Sequence, residues 1–284
     1  MSGLVDAADP IALSLNIMRR LPPNRIEQNL SGLLNLCPKM TDELLQRVDQ
    51  PLETSTGTGR PFILSDYNRD GDSYRSPWTN EYAPQIEDGF KPSQKLRALE
   101  VQANEIFDSY RELYYEGGIS SAYLWDLEEQ EGGFAGCFLI KKDVTEDKYV
   151  KKGSWNSIHV VEASPPSNGK STYKLTTTIM VNMDTTGREC GATNLAGSMT
   201  RQTEQTTVVN DTTSPHLTNI GKMIEDMEIE MRSNMHGLYL LKTSQVVNNV
   251  RTAYMGPKQG TDHTKILSES VAKHGAQRKI DSES

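Results

Sequence analysis

Ser65-Asp66-Tyr67-Asn68-Arg69-Asp70-Gly71-Asp72-Ser73-Tyr74-Arg75-Ser76-Pro77-Trp78 is a run dense in charge, aromatic rings and turn residues. It follows neither the helical period of 3.6 nor the strand period of two. Its first half imitates a calcium loop, with Asp66, Asn68, Asp70 and Gly71 matching D-x-[DN]-x-[DN]-G. The twelfth position, which should offer a bidentate Glu, is Pro77. Pro61 with Phe62-Ile63-Leu64 before the run, and Pro77-Trp78 at its end, stand where flanking helices belong. A structural turn held by Asx hydrogen bonds is the simpler reading.

On its N-terminal side the chain reads as short amphipathic helices. Ile11, Leu15 and Met18 share a face that Pro22-Pro23 ends. Asn24 and Glu27 form a capping-box pair for a second helix with Ile26, Leu30, Leu33, Leu34 and Cys37 inward. Thr41 caps a third, with Leu44, Leu45 and Val48. Short connections predict an antiparallel bundle over residues 1–50. Residues 51–118 form a second region, with a Thr/Gly-rich loop from Glu53 to Arg60, the quoted run and a helix opened by Ser93. Leu96, Leu99, Ala103, Ile106, Phe107, Tyr110, Leu113 and Tyr114 mark that helix's core stripe, and Gly117-Gly118 closes it.

From 119 to 213 the period becomes two. Phe134, Cys137, Phe138 and Ile140 mark one strand, Ile158-His159-Val160-Val161 a second, Tyr173 to Met183 a third, and Asn194 to Gln202 another. Ser164 to Gly169 is a turn. The alternation Tyr173-Leu175-Thr177-Ile179-Val181 predicts an antiparallel sheet covered on one face. Ser214 and Pro215 then start a long helix, 214–250, with Leu217, Ile220, Ile224, Met227, Met231 and Leu238 spaced by threes and fours. Its methionines suit either an adaptable partner surface or ordinary core filling. After Met255-Gly256-Pro257, the 251–284 tail carries one more amphipathic segment around Ile266, Leu267 and Val271, too short to be stable alone.

Bulk properties narrow the class. Net charge is -8, with a pI near 5.3 and a mean hydropathy of -0.58. That excludes a general nucleic-acid binder. No apolar run approaches the ~20 residues of a membrane span, and Met1 to Asp6 has no signal-peptide core, so a cytoplasmic address is expected. From Lys242 onward seven basic residues face four acidic ones, a tail of +3 on a body of -11. Such a tail either meets an acidic surface or is simply solvated. Three scattered cysteines and five scattered histidines form no metal or redox spacing, and no hydrolase, dinucleotide or P-loop motif occurs. The residues alone therefore predict an α+β binding protein, not an enzyme, with no cofactor and no metal.

The quoted run closely resembles the signature of the beta subunit family of F-actin capping protein, with Ser65 in place of the usual Cys. Further matches keep the same order: Met18 to Pro23, Tyr114 to Gly118, Tyr123 to Asp126, Ser157 to Glu162, Asn194 to Gln202 and Ser214-Pro215-His216. The resemblance implies an N-terminal helical bundle, a stalk, an antiparallel sheet continued by an alpha subunit in an obligate heterodimer, a long helix across it, and a C-terminal tentacle. It implies calcium-independent binding to the barbed ends of actin filaments in the cytoplasm, at the cortical cytoskeleton.

On that resemblance, Arg232, Lys265, Ile266, Leu267, Val271 and Lys273 are the expected actin contacts. Asp66, Tyr67, Asn68, Arg69, Asp70, Asp72, Tyr74, Arg75 and Trp78 have two readings. Either they are a scaffold, with Arg69 and Arg75 paired to Asp66, Asp70 or Asp72, or they are an acidic surface for capping-protein-interaction-motif proteins. Phosphatidylinositol bisphosphate is a further implied ligand. The alternative function is a regulatory scaffold or an acidic-phospholipid binder working through the basic tail.

Overall fold

The computed structural model describes residues 9–56, 59–127, 132–145, 152–187, 191–209, 215–237 and 250. The chain divides into two compact units, Met1–Met231 and Arg232–Ser284. In the second, the described residues are the end of a helix reaching His236, then Gly237 and Val250.

Three short helices open the first unit: α1 (Pro10–Met18), α2 (Ile26–Leu36) and α3 (Thr41–Arg47). Asp9 caps α1, its Oδ1 accepting from the Ile11 amide at 3.0 Å, and Pro10 takes the first helical position. Ile11, Met18, Leu30, Leu44 and Val48 close one small core. The caps expected for α2 and α3 do not form. A 3-10 turn, Pro23–Arg25, absorbs Asn24, and α2 starts behind Arg25 with no side-chain cap. A second 3-10 turn, Pro38–Met40, precedes α3, so Thr41 lies inside the helix and its hydroxyl donates to the Pro38 carbonyl at 2.8 Å. In both places the fixed φ of proline starts helical winding early.

The quoted run is a hairpin, not an aperiodic loop. β1 (Glu53–Ser55) and β2 (Phe62–Leu64) pair antiparallel ahead of it. After a 3-10 turn at Asp66–Asn68 come β3 (Arg69–Asp70), β4 (Ser73–Arg75) and β5 (Tyr82–Ala83), in the order β3-β4-β5. Gly71, at φ +58, makes the two-residue turn between paired Asp70 and Ser73. Strands of two or three residues are too short to show a period.

α4 (Gln94–Tyr114) starts at Ser93, whose Oγ accepts from the Leu96 amide at 3.4 Å. Its inward positions are Leu96, Glu100, Ala103, Asn104 and Phe107, while Ile106, Leu113 and Tyr114 are exposed. The expected stripe is therefore rotated: two polar residues hold the middle of the buried face. Gly117, at φ +75, lets the chain reverse into the main sheet.

That sheet contains β6 (Ile119–Asp126), β7 (Phe134–Thr145), β8 (Lys152–Ala163), β9 (Lys170–Gly187) and β10 (Gly191–Val208). It is an antiparallel meander in the order β10-β9-β8-β7-β6. Asn168 and Gly169, both with positive φ, form the tip of the β8–β9 turn inside the Ser167–Lys170 bridge. Tyr173, Leu175, Thr177, Ile179 and Val181 are all buried, on the face that carries His159 and Phe138.

The expectation of one covered face is corrected. The opposite face packs Cys137 and Leu139 against Leu52 and Ile63, and farther along it buries Met180, Thr178 and Asn182. Thr and Asn on this face made it look solvated in the sequence. α5 (Pro215–His236) buries Leu217, Ile220, Met223, Ile224, Met227 and Met231. Those methionines are core filling. The expected continuation of this helix to Val250, its Ser214 cap and the tail lie outside the described residues.

Candidate binding surfaces and the networks behind them

The signature residues serve first to lock the hairpin to α4. Arg75 is almost wholly buried and meets Glu100 in a two-pronged pair, NH1 to Oε1 at 2.7 Å and NH2 to Oε2 at 2.8 Å. Arg97 also donates to Glu100 Oε1, and the Leu124 amide donates to Oε2 at 2.7 Å. A third guanidinium bond of Arg75, again from NH1, reaches Asn80 Oδ1 at 2.7 Å. Both carboxylate oxygens of Glu100 are thus matched by arginine, the condition under which such a buried pair is tolerated. Arg75 therefore does not pair with the hairpin aspartates as expected. Those carboxylates are too short and point outward, whereas Glu100 arrives from α4 into the dry interior.

Asn68 does equivalent work for the backbone. It accepts from the Ser65 amide at 2.9 Å and donates to the Arg75 carbonyl at 2.9 Å. Tyr67 stacks on Trp125 with centroids 5.6 Å apart, and Arg60 lies 3.7 Å over the Trp78 ring. Burial pushes the Tyr67 phenol up to about 12, with Cys137, Asp49 and Asp66 adding to the effect. Arg69 makes only long contacts to Asp66 and Asp72, 3.9 and 3.8 Å, with both carboxylates fully exposed. Tyr74 lies under the Arg69 guanidinium at 5.9 Å, and Asp70 accepts from the Phe90 amide at 3.4 Å. Among the described residues no three His, Cys, Asp or Glu side chains come together as a metal site would need.

A second network seats α5. Glu228, buried, receives His159 Nε2 at 3.1 Å on Oε1 and the hydroxyls of Tyr110 and Tyr115 at 2.7 and 2.6 Å on Oε2. The other imidazole nitrogen, Nδ1, lies 2.9 Å from Thr177 Oγ1. Burial pushes the Glu228 carboxyl up, but His159 and the two hydroxyls outweigh it and hold the group at about 2. α4, β8, β9 and α5 are tied at one point. Sequence reasoning missed both carboxylates. A signal existed: Glu100 sits in the middle of an apolar stripe, and His159 falls on the inward alternation of β8.

Of the expected actin contacts, Arg232 lies half-buried on α5. Lys265, Ile266, Leu267, Val271 and Lys273 lie outside the described residues. The outward face of α5 up to Met231 carries Lys222 against Asp226 and Glu230, and it exposes Ile229. It is not a basic surface.

Three further surfaces are available. The outer edge of β10, eighteen residues long, pairs with no strand among the described residues. A cleft of about 340 Å³ beside the signature is lined by Asp49, Glu53, Asp66, Tyr67, Arg69 and Tyr74 over Leu45, Leu52 and Ile158. A cavity of about 170 Å³ between α4 and α5 is lined mainly by Ile106, Phe107, Phe138, Leu217 and Ile224.

Comparison with known proteins shows the family. Residues 11–247 match the family described as F-actin capping protein, beta subunit. The F-actin-capping protein subunit beta of Drosophila melanogaster is 50% identical over 242 residues, covering 84% of this chain and 86% of that protein. The same subunit from Caenorhabditis elegans is 48% identical, covering 84% and 87%. That of Emericella nidulans is 43% identical over 267 residues, covering 93% and 97%. A homodimeric actin capping protein alpha subunit from Plasmodium berghei shares the fold at 16% identity, with a TM-score of 0.54 over 88% of this chain and 98% of that one.

Proposed function

The chain belongs to the F-actin capping protein beta-subunit family, and from that premise we propose how its surfaces work. It is one subunit of a capping heterodimer that binds actin filament barbed ends and blocks subunit exchange there, in the cytoplasm. The family match over 11–247 carries this reading. No chemistry is required of the protein. Occupying the filament end is enough.

The alpha partner extends the sheet along β10. An antiparallel edge with no strand beside it among the described residues is a template for another strand. The likeness in fold between this chain and an alpha subunit suits two similar subunits related by an approximate two-fold. Exposed Leu13, Ile17, Leu36 and Leu45 on the bundle give the partnership further apolar surface. Pairing is obligate because most of a long strand edge, held by the bundle among the described residues only where the Ser198 amide donates to the Arg19 carbonyl at 2.9 Å, and these side chains are left without a cover otherwise.

Actin contact falls to Arg232 and to the tail residues Lys265, Ile266, Leu267, Val271 and Lys273. The acidic outward face of α5 argues that steering charge comes from the tail and the alpha subunit, not from α5 itself. The acidic cleft beside the signature suits a basic, extended peptide, as in capping-protein-interaction-motif proteins. Acidic phospholipids such as phosphatidylinositol bisphosphate compete through the basic tail, and the cell cortex is the expected place of action.

Elongation of pyrene-actin from filament seeds, with this chain co-expressed with its alpha partner, tests the reading. Arrest of barbed-end growth by the pair supports it. Unimpeded growth with a well-folded pair overturns it. Within that assay, Leu267→Arg is expected to weaken capping while the heterodimer stays folded, and unchanged capping would remove the tail from the mechanism.

A further inference from the structure

The geometry points to a small-molecule site in the seam between α4 and α5, one that takes an arylalkyl ammonium compound with its ring inside and its cationic amine at the mouth. The site lies wholly within Met1–Met231 and needs no actin to be filled.

The seam is left open because the two helices meet there through small side chains. Ala103 and Phe107 come from α4, Leu217 and Ile224 from α5, and Phe138 from β7, and between them lies a cavity of about 170 Å³. An apolar cavity of about 150 Å³ stays dry and takes up benzene, so the space suits one ring and not two. Phe107 and Phe138 already meet edge to face, with centroids 5.3 Å apart. Rings so arranged offer a guest both edges and faces.

The cavity has a mouth. Ile106 and Gly221 both line it and both are exposed. A Cβ at Gly221 would meet no atom within 4 Å, and its φ is not in the left-handed range. Neither packing nor backbone conformation calls for glycine at this position, and glycine weakens a helix interior. What the missing side chain does is leave the way in clear.

Charge selects the guest. Glu225 also lines the cavity, and its Oε1 accepts from the Tyr114 hydroxyl at 2.7 Å. A carboxylate has two oxygens and accepts from more than one donor. Between positions 222 and 230, α5 carries Glu225, Asp226, Glu228 and Glu230 against Lys222. The field at the mouth therefore favours a cation over a neutral or anionic group.

The test uses the intact heterodimer with this chain labelled at its isoleucine methyl groups, titrated with 2-phenylethylamine and with its neutral counterpart 2-phenylethanol. Saturable shifts are expected at Ile106 and Ile224, caused by the ring, while Ile63, in the core on the sheet's other face, stays still. The amine should bind about fivefold more tightly than the alcohol, the scale of a half-exposed charge pair. Glu225→Gln should erase that difference. Ala103→Leu fills the cavity from α4 and should abolish the saturable shifts. If that variant does not fold, Gly221→Leu, at an exposed helix position, serves in its place and should weaken both probes at least tenfold.

A native pair whose Ile106 and Ile224 methyls show no saturable shift overturns the site. Shifts that persist unchanged in the folded filling variant place the ring elsewhere and overturn it too. Equal affinity for the two probes, in the native pair and in Glu225→Gln alike, overturns the assignment of a cationic ligand.

Discussion

Glu100 and Glu228 are both buried carboxylates, and they are held differently. Glu100 meets two arginines and a backbone amide. Guanidinium keeps its charge at any pH a folded protein survives and matches a carboxylate prong for prong. Among its partners Glu228 meets an imidazole and two phenol hydroxyls. The first site joins the signature hairpin to α4 and has no reason to change. The second joins α4, β8, β9 and α5 at one point. The difference teaches that burial of a charge alone says little about its role. The identity of its partners decides how the charge is matched, by arginine in one place and by an imidazole and hydroxyls in the other.

The largest expected effect is at the arginine junction. Glu100→Ala leaves Arg75 buried without its counter-charge and should cost about 4 kcal/mol. Chemical denaturation of the heterodimer would read it, and a loss below about 1 kcal/mol would mean that water reaches Arg75 readily.

Acid should act on the other junction. Glu228 is held at about 2 in the folded chain against an ordinary 4.5. A depressed carboxyl contributes stability that is present above the ordinary value and is lost as pH falls toward the folded one. About 3 kcal/mol should therefore fade between roughly pH 4.5 and 2. In Glu228→Gln the acid limb of the stability curve should be shallower, and an identical limb would show that Glu228 is not the group being titrated.

Smaller still is Tyr123→Phe. It removes one buried hydroxyl bond to the Ile63 carbonyl, 2.8 Å long, and should cost about 1 kcal/mol in the same denaturation experiment. At the bottom of the scale is Asp72→Asn, which touches only a long, fully exposed contact with Arg69. Its midpoint should match the native protein, and a clear shift would mean that the hairpin tip is tied down by something other than its own turn.

Much of this fold was readable in advance, for a local reason. The Ser93 cap, the Asn168-Gly169 tip, the inward alternation from Tyr173 to Val181 and the α5 spacing depend on neighbours within one turn or one strand. The failures share a reason too. Asn24 and Thr41 were sound caps locally, but proline-started 3-10 turns displaced the helix ends. Tyr114 and Ile106 looked inward and are exposed because the centre of the α4 face belongs to Glu100 and Asn104. The sheet's second covered face was masked by its Thr and Asn residues. Of the candidate site, the signature was visible as a motif, whereas its partner Glu100, 25 positions beyond Arg75, was not.

By itself the amino-acid order determined the helix and strand types, most turn positions, the charge asymmetry of the tail and the membership of a family. Each follows from dihedral preference, periodicity or a string of residues in order. Only the tertiary structure decided which polar groups are buried and with whom. Glu100 with Arg75, and Glu228 with His159, Tyr110 and Tyr115, meet across 25 to 118 residues of chain. A buried charge is tolerated only where distant partners converge on it, and that convergence does not exist until the sheet and its two long helices have packed.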